Sequence, residues 1–240
     1  MSRLDELDGV LFDLDGVVTS TAQQHYRAWK QTFDEYLRQR FGDGARLFEP
    51  EDYRLHVDGL PRYDGVRNFL ASRSVNLPEG APDDPPGQET VRAIGDRKDR
   101  LVNQIIRDEG VEPYAGSVAL LRHLRSVGMR TAIVSSSRNC GTVLHAAKLA
   151  HLFDERIDGE IAAQLGLAGK PAPDTFLAAA DRLGVSPTRA AVIEDALSGV
   201  EAGRRGGFSL VVGVDRVGQA DALREHGADI VVLDLAELLD

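Results

Sequence analysis

A chain of 240 residues, 42% hydrophobic and 28% charged, can build one large domain or two modest ones, and no apolar run approaches the ~18 residues of a membrane span. Its formal net charge of -10 repels nucleic acid and anionic membranes, so neither is expected as a partner, and an anionic substrate needs a pocket assembled from particular Lys, Arg and backbone N–H groups. The polar opening MSRLDELDG lacks the basic start and apolar stretch of a secretory signal, and the single Cys140 excludes an intramolecular disulfide; both point to the cytoplasm.

In chain order the first element is GVLF at 9–12, a continuous apolar run of the kind a parallel sheet buries on both faces, leading into Asp13-Leu14-Asp15-Gly16. Residues 22–110 read differently. AQQHYRAWKQTFDEYLRQRF, DGVRNFLASR and QETVRAIGDRKDRLVNQIIRDEG carry amphipathic helical periodicity with no convincing strand among them. Between them SVNLPEGAPDDPPGQ concentrates four prolines and predicts a loop. From about 111 onward strands alternate with helices: RTAIVS at 130–135, RIDGEI at 156–161, AAVIE at 190–194, FSLVVGV at 208–214 and DIVVL at 229–233, with SVALLRHLRSVG and PDTFLAAADRLG as helices between them. The pattern predicts an α/β fold: a doubly wound, mostly parallel (Rossmann-like) sheet core, residues 1–21 and 111–240, with an inserted helical cap, residues 22–110.

Open α/β sheets bind ligands beyond the carboxyl ends of their strands. There the sequence places Asp13 and Asp15 after the first strand, Ser135-Ser136-Ser137 after the second and Glu194-Asp195 after the fourth, while GKPAPDTF sets Lys170 just before a helix. Clustered carboxylates oppose one another's ionisation, and a divalent cation relieves them; oxygen-only ligands suit Mg²⁺. Lys170 with the hydroxyl and N–H groups of Ser135 and Ser136 would line a phosphoryl site, one aspartate could act as nucleophile and the other as general acid and base.

DLDGVVT, SSS, KPAPDTF and IEDALSG, in that order, resemble the four motifs of the haloacid dehalogenase superfamily, mostly Mg²⁺-dependent phosphatases and phosphomutases. The resemblance implies Asp13 as nucleophile and Mg²⁺ ligand, Asp15 as general acid/base and backbone Mg²⁺ ligand, Ser135 and Lys170 as phosphate binders, and Asp195 as a Mg²⁺ ligand with Glu194 beside it. Within the superfamily the chain is similar to the β-phosphoglucomutase group, whose small helical cap lies between the first and second motifs. TAQQHYRAWK resembles the segment entering that cap, with a hinge at Thr21, His25 and Trp29. VDGLPRYDG resembles its substrate loop, implying Gly59 and Leu60 beside the sugar and Arg62 on phosphate; DRKD supplies Lys98, and SSSRN puts Ser137, Arg138 and Asn139 at substrate-contacting positions. Ser20, Arg138, Asp99 and Gly65 depart from the group's pattern, and the proline-rich loop enlarges the cap.

The resemblance implies transfer through an aspartyl-phosphate between β-D-glucose 1-phosphate and glucose 6-phosphate by way of glucose 1,6-bisphosphate, with Arg62, Arg138 and Asn139 on the spectator phosphate. A sugar-phosphate phosphatase with the same metal apparatus is the alternative, and a non-catalytic ligand-binding relative the third reading. A monomer is the expectation for the oligomeric state.

Overall fold

Six short strands, β1 (Gly9–Phe12), β2 (Arg130–Val134), β3 (Glu155–Ile157), β4 (Ala190–Glu194), β5 (Leu210–Val214) and β6 (Ile230–Val232), form one parallel sheet in the order β3-β2-β1-β4-β5-β6. The computed structural model describes residue 4 and residues 6–239; Met1–Arg3 and Asp5, part of the polar opening noted above, and Asp240 lie outside them. The chain divides into two compact units, one of residues up to Ser20 with Val111 onward, the other Thr21–Gly110.

The α/β unit is a doubly wound sheet flanked by α5 (Ala115–Ser126), α6 (Cys140–Ala146), α7 (Gly159–Leu165), α8 (Asp174–Leu183), α9 (Leu197–Arg205) and α10 (Ala220–Glu225). Leu11, Val134, Val192 and Val211 join Phe176, Ala179, Val200 and Leu223 in one core on one face. Their strand neighbours Val10, Phe12, Ile133, Ile193 and Val212 are also fully buried, so both faces are covered, as the continuous apolar runs require. The strand order reverses between β1 and β4, which pair in register Leu11 with Val192, and this switch point opens a crevice at their carboxyl ends.

The third strand corrects the expectation of 156–161. It stops at Ile157, because Asp158 accepts the N–H groups of Glu160 and Ile161 (3.1 and 3.0 Å) and caps α7. Two apolar residues in RIDGEI give a strand little to bury, and the Asp-Gly pair starts a helix instead.

The helical unit contains α1 (Thr21–Phe41), α2 (Pro50–His56), α3 (Arg62–Ser72) and α4 (Val91–Glu109). Helix α2 was not expected from periodicity; its signals are Pro50 in the first turn and Asp52, whose carboxylate accepts the Glu49 N–H at 3.0 Å. The unit's core is aromatic, with Phe33 lying 4.2 Å from Phe69, 5.0 Å from Phe48 and stacked 5.0 Å from Trp29, centroid to centroid. Such pairs add about 0.5–1.5 kcal/mol each beyond area burial. Gly65 belongs to this packing: a Cβ there would lie 3.2 Å from Val57 and 3.7 Å from the Trp29 ring. The proline-rich loop is irregular as expected, and it is tied down, with Pro78 and Glu79 carbonyls accepting the Val91 and Arg92 N–H groups and Asp84 accepting the Thr90 hydroxyl at 2.6 Å. Among the described residues no helix is long and apolar enough to cross a membrane.

Candidate active site

The crevice between β1 and β4 collects charge that a protein interior ordinarily excludes. Asp13 follows the last residue of β1 and is fixed by its own N–H on the Ile193 carbonyl at 2.9 Å. Glu194 ends β4, fully buried, and Asp195 follows it. One carboxylate oxygen from each of Asp13, Glu194 and Asp195 lies within 4.8 Å of the others, so the three could hold a metal ion. Lys170, itself buried, reaches into the group: Nζ donates to Asp13 Oδ1 and Glu194 Oε1, both at 2.5 Å, and to the Val134 carbonyl at 3.1 Å. The Lys170–Pro171 bond is cis.

The electrostatics follow from counting. Burial works against the Lys170 ammonium, but the Asp13 and Glu194 carboxylates outweigh it and hold its pKa above the ordinary lysine value, so the lysine stays charged. One ammonium cannot balance the carboxylates around it. Burial, followed by the charges of Glu194 and Asp15, pushes the Asp13 carboxyl well above the ordinary aspartate range despite Lys170. Glu194 has both oxygens engaged, Oε1 by Lys170 and Oε2 by the Ala196 N–H at 3.0 Å, so it fixes the lysine as well as charging the pocket. An all-oxygen donor set with surplus negative charge fits a hard divalent cation.

Gly16 has φ +95, a conformation that costs other residues, and a Cβ on it would lie 1.9 Å from Asp195 Oδ2. The turn carrying Asp15 is thereby laid directly against Asp195. Asp15 is half-buried; its carboxylate lies outside the metal-competent trio. Ser135 continues from β2, buried, and its hydroxyl accepts the Ser137 N–H at 3.1 Å, while the Ser137 hydroxyl accepts the Asn139 N–H at 3.1 Å. These bonds fold the serine run into a compact turn whose half-buried Ser136 and exposed Arg138 precede α6.

The haloacid dehalogenase-like hydrolase profile matches residues 7–207, which span all of these motifs. The chain belongs to that family. It is 48% identical to a β-phosphoglucomutase of Mycobacterium tuberculosis across 98% of this chain and 92% of the relative. It is 29% identical to hexitol phosphatase A of Escherichia coli, across 96% of this chain and 92% of that one. Among solved structures, β-phosphoglucomutase from Clostridium difficile superimposes with a TM-score of 0.76 at 24% identity, covering 97% of this chain and 93% of that chain, a likeness of fold.

The remaining candidates of this family member lie in the helical unit, described by itself. Thr21 is the first residue of α1, buried. His25 and Trp29 follow on the same helix, and Lys98 of α4 meets both: Nζ lies 2.9 Å from His25 Nδ1 and 5.0 Å from the Trp29 ring centroid. Gly59, φ +71, and Leu60 form the turn before α3. Arg62 opens α3, clamped between Asp96 Oδ1 at 3.0 Å and Asp99 Oδ1 at 2.8 Å, with the Tyr63 hydroxyl also donating to Asp96 at 2.7 Å. That double clamp was not foreseen, although DRKD contains both carboxylates; their approach to Arg62 depends on how α3 packs on α4.

The carboxyl end of β5 was also passed over. There Asp215 accepts four backbone N–H groups, from Val217, Gly218, Gln219 and Ala220 at 2.7 to 3.2 Å. Burial opposes its charge, but those donors prevail and hold its pKa below the ordinary value. The same strand-end rule that selected Asp13 and Glu194 would have selected it.

Proposed function

We propose that the chain is a Mg²⁺-dependent phosphomutase that interconverts β-D-glucose 1-phosphate and glucose 6-phosphate through an aspartyl-phosphate. The observation that carries the reading is the buried Asp13, Lys170 and Glu194 group beside Asp195 at the sheet's switch point. Asp13, Asp195 and the Asp15 backbone would hold Mg²⁺, which when bound neutralises the carboxylates and the charge that develops on a transferring phosphoryl group. An Asp13 carboxylate oxygen attacks phosphorus, the bond from phosphorus to the sugar oxygen breaks, and Asp15 gives its proton to that oxygen. In the reverse half Asp15 takes the proton from a sugar hydroxyl as that oxygen attacks the phosphorus on Asp13, and the bond to Asp13 breaks. Lys170 and the Ser135 hydroxyl would hold the phosphoryl oxygens in flight.

A mutase also needs ligands for the phosphate that stays on the sugar. Arg62, and separately Arg138 with Asn139, are our candidates, with His25, Trp29, Lys98, Gly59 and Leu60 shaping sugar recognition. Identity of 48% to a named β-phosphoglucomutase over nearly its whole length supports the mutase over other phosphoryl transfers. The second reading, a sugar-phosphate phosphatase, draws support from the pairing of Arg62 with Asp96 and Asp99 and from the hexitol phosphatase relative. β-Glucose 1-phosphate with a trace of the 1,6-bisphosphate separates them: we expect glucose 6-phosphate with little free phosphate. Stoichiometric phosphate without glucose 6-phosphate overturns the mutase.

A further inference from the structure

The turn after β5 touches both metal-bearing segments through their backbones. Arg216 Nε donates to the Gly16 carbonyl at 2.9 Å, and Gln219 Nε2 donates to the Asp195 carbonyl at 3.0 Å. Gly16 and Asp195 are the two residues whose close approach leaves no room for a Cβ at Gly16. One turn therefore holds, from behind, two peptides that carry or adjoin the carboxylates at the crevice.

The turn is itself rigid and braced. Asp215 ties residues 217–220 together by four N–H donors, so Arg216 and Gln219 project from a fixed base. The Arg216 guanidinium lies 3.7 Å from the centroid of the Tyr114 ring, and Nη1 donates to the Leu233 carbonyl at 2.9 Å. Tyr114 in turn donates its N–H to the Val18 carbonyl at 3.0 Å, close to the Asp15 turn. Arg216 thus joins the ends of β5 and β6, the segment before α5 and the first-motif turn.

Arg216 Nη1 also lies 3.8 Å from Asp234 Oδ2, while the one hydrogen bond recorded for the Gln219 side chain goes to the Asp195 carbonyl. What the polar side chains provide is direction: a fork and an amide aimed at two specified carbonyls.

We propose that Arg216 and Gln219 are positioning residues that set the spacing of the Asp15–Gly16 turn against Asp195, and so tune the affinity and geometry of the cation site. The proposal rests on the Mg²⁺ reading above and deepens it. Neither side chain touches the reacting atoms; each acts through a peptide. Groups that orient metal ligands typically contribute 10–100-fold in metal affinity.

Mg²⁺ titration of the full chain by calorimetry, with no sugar phosphate present, is the primary test. Arg216→Gln and Gln219→Ala should each weaken Mg²⁺ binding by about tenfold or more, and Arg216→Lys, which keeps one donor, should recover part of the loss. In turnover assays the two variants should lose kcat at limiting Mg²⁺ and regain it at high Mg²⁺, with the sugar-phosphate KM within about threefold of wild type. Arg224→Ala, an exposed change on α10 at an ion pair with Asp221, should leave Mg²⁺ binding unchanged. Should Arg216→Gln fail to fold, Gln219→Ala decides, since its side chain makes one hydrogen bond at a half-buried position. Variants that fold and bind Mg²⁺ within twofold of wild type overturn the positioning role while the metal site stands. A wild-type chain that binds no Mg²⁺ overturns the metal site and this role with it.

Discussion

In the α/β unit Asp13 and Glu194, at two strand ends, are buried together with Lys170 from the turn before α8, and the three are one another's ion-pair partners. In the helical unit the charged residues proposed for substrate are already served by their own neighbours, Arg62 by Asp96 and Asp99, and Lys98 by His25 and the Trp29 ring. The first arrangement is preorganised and carries surplus negative charge that a cation would meet. On the role proposed for Arg62, a substrate phosphate would compete with Asp96 and Asp99, two carboxylates that are partly exposed where Asp13 and Glu194 are buried. The contrast is one of burial: an ion cluster closed off from water in the α/β unit, ion pairs open to water in the helical unit.

The comparison breaks if the buried group is only structural. Asp13→Asn should lower kcat by at least about 10⁴-fold, as expected when a nucleophile is removed, while the unfolding midpoint measured without Mg²⁺ stays within a few degrees of wild type. Lys170 retains Glu194 as its partner in that variant, so the fold should not suffer. Turnover within tenfold of wild type would remove Asp13 from the chemistry and leave the cluster without a catalytic explanation.

Phe69→Ala tests whether the helical unit depends on its aromatic core as the α/β unit depends on its sheet. Phe69 is fully buried against Phe33 and Phe48, and truncating such a ring costs about 3–5 kcal/mol. Hydrogen exchange should show α1–α4 losing protection while β1, β2 and β4 keep theirs. Equal loss in both units would mean they unfold as one, and the separation drawn above would concern charge only.

Much of the α/β unit was legible because a parallel sheet buried on both faces writes itself as continuous apolar runs, and its ligands gather at strand ends. GVLF ends just before Asp13 and AAVIE ends on Glu194, so Asp13, Glu194 and Asp195, which the structure brings together, could be picked from their place at strand ends. RIDGEI misled because two apolar residues carry no periodicity, and the Asp158 cap prevailed. Helix α2 was missed since seven residues are too few for a 3.6-residue period to show. The Arg62 clamp and the reach of Arg216 to Gly16 join residues 34 to 200 positions apart, contacts that only tertiary packing creates. Glu194 was expected among the acids of a metal site with Asp13, Asp15 and Asp195; its double engagement with Lys170 and Ala196 depends on side-chain geometry that spacing does not encode.

The smallest expected effect gives the sharpest view of the helical unit. Arg62 has two carboxylates within 3.0 Å and a side chain only 17% exposed, so on the role proposed for it an incoming phosphate would compete with Asp96 and Asp99 for one guanidinium. A partly exposed ion pair is worth about 0–1 kcal/mol, and 1 kcal/mol corresponds to roughly fivefold in binding. Asp99→Asn should therefore lower the KM for β-glucose 1-phosphate by up to about fivefold, with kcat little changed, because Asp96 and Tyr63 still hold the arginine's surroundings in place. Arg62→Ala should raise the same KM by about tenfold or more, the loss of a charge-assisted contact. Opposite signs at the two positions are the signature of a counter-ion that yields to substrate. If Asp99→Asn instead raises KM, Asp99 serves the sugar directly, and the helical unit is preorganised by the same logic as the sheet.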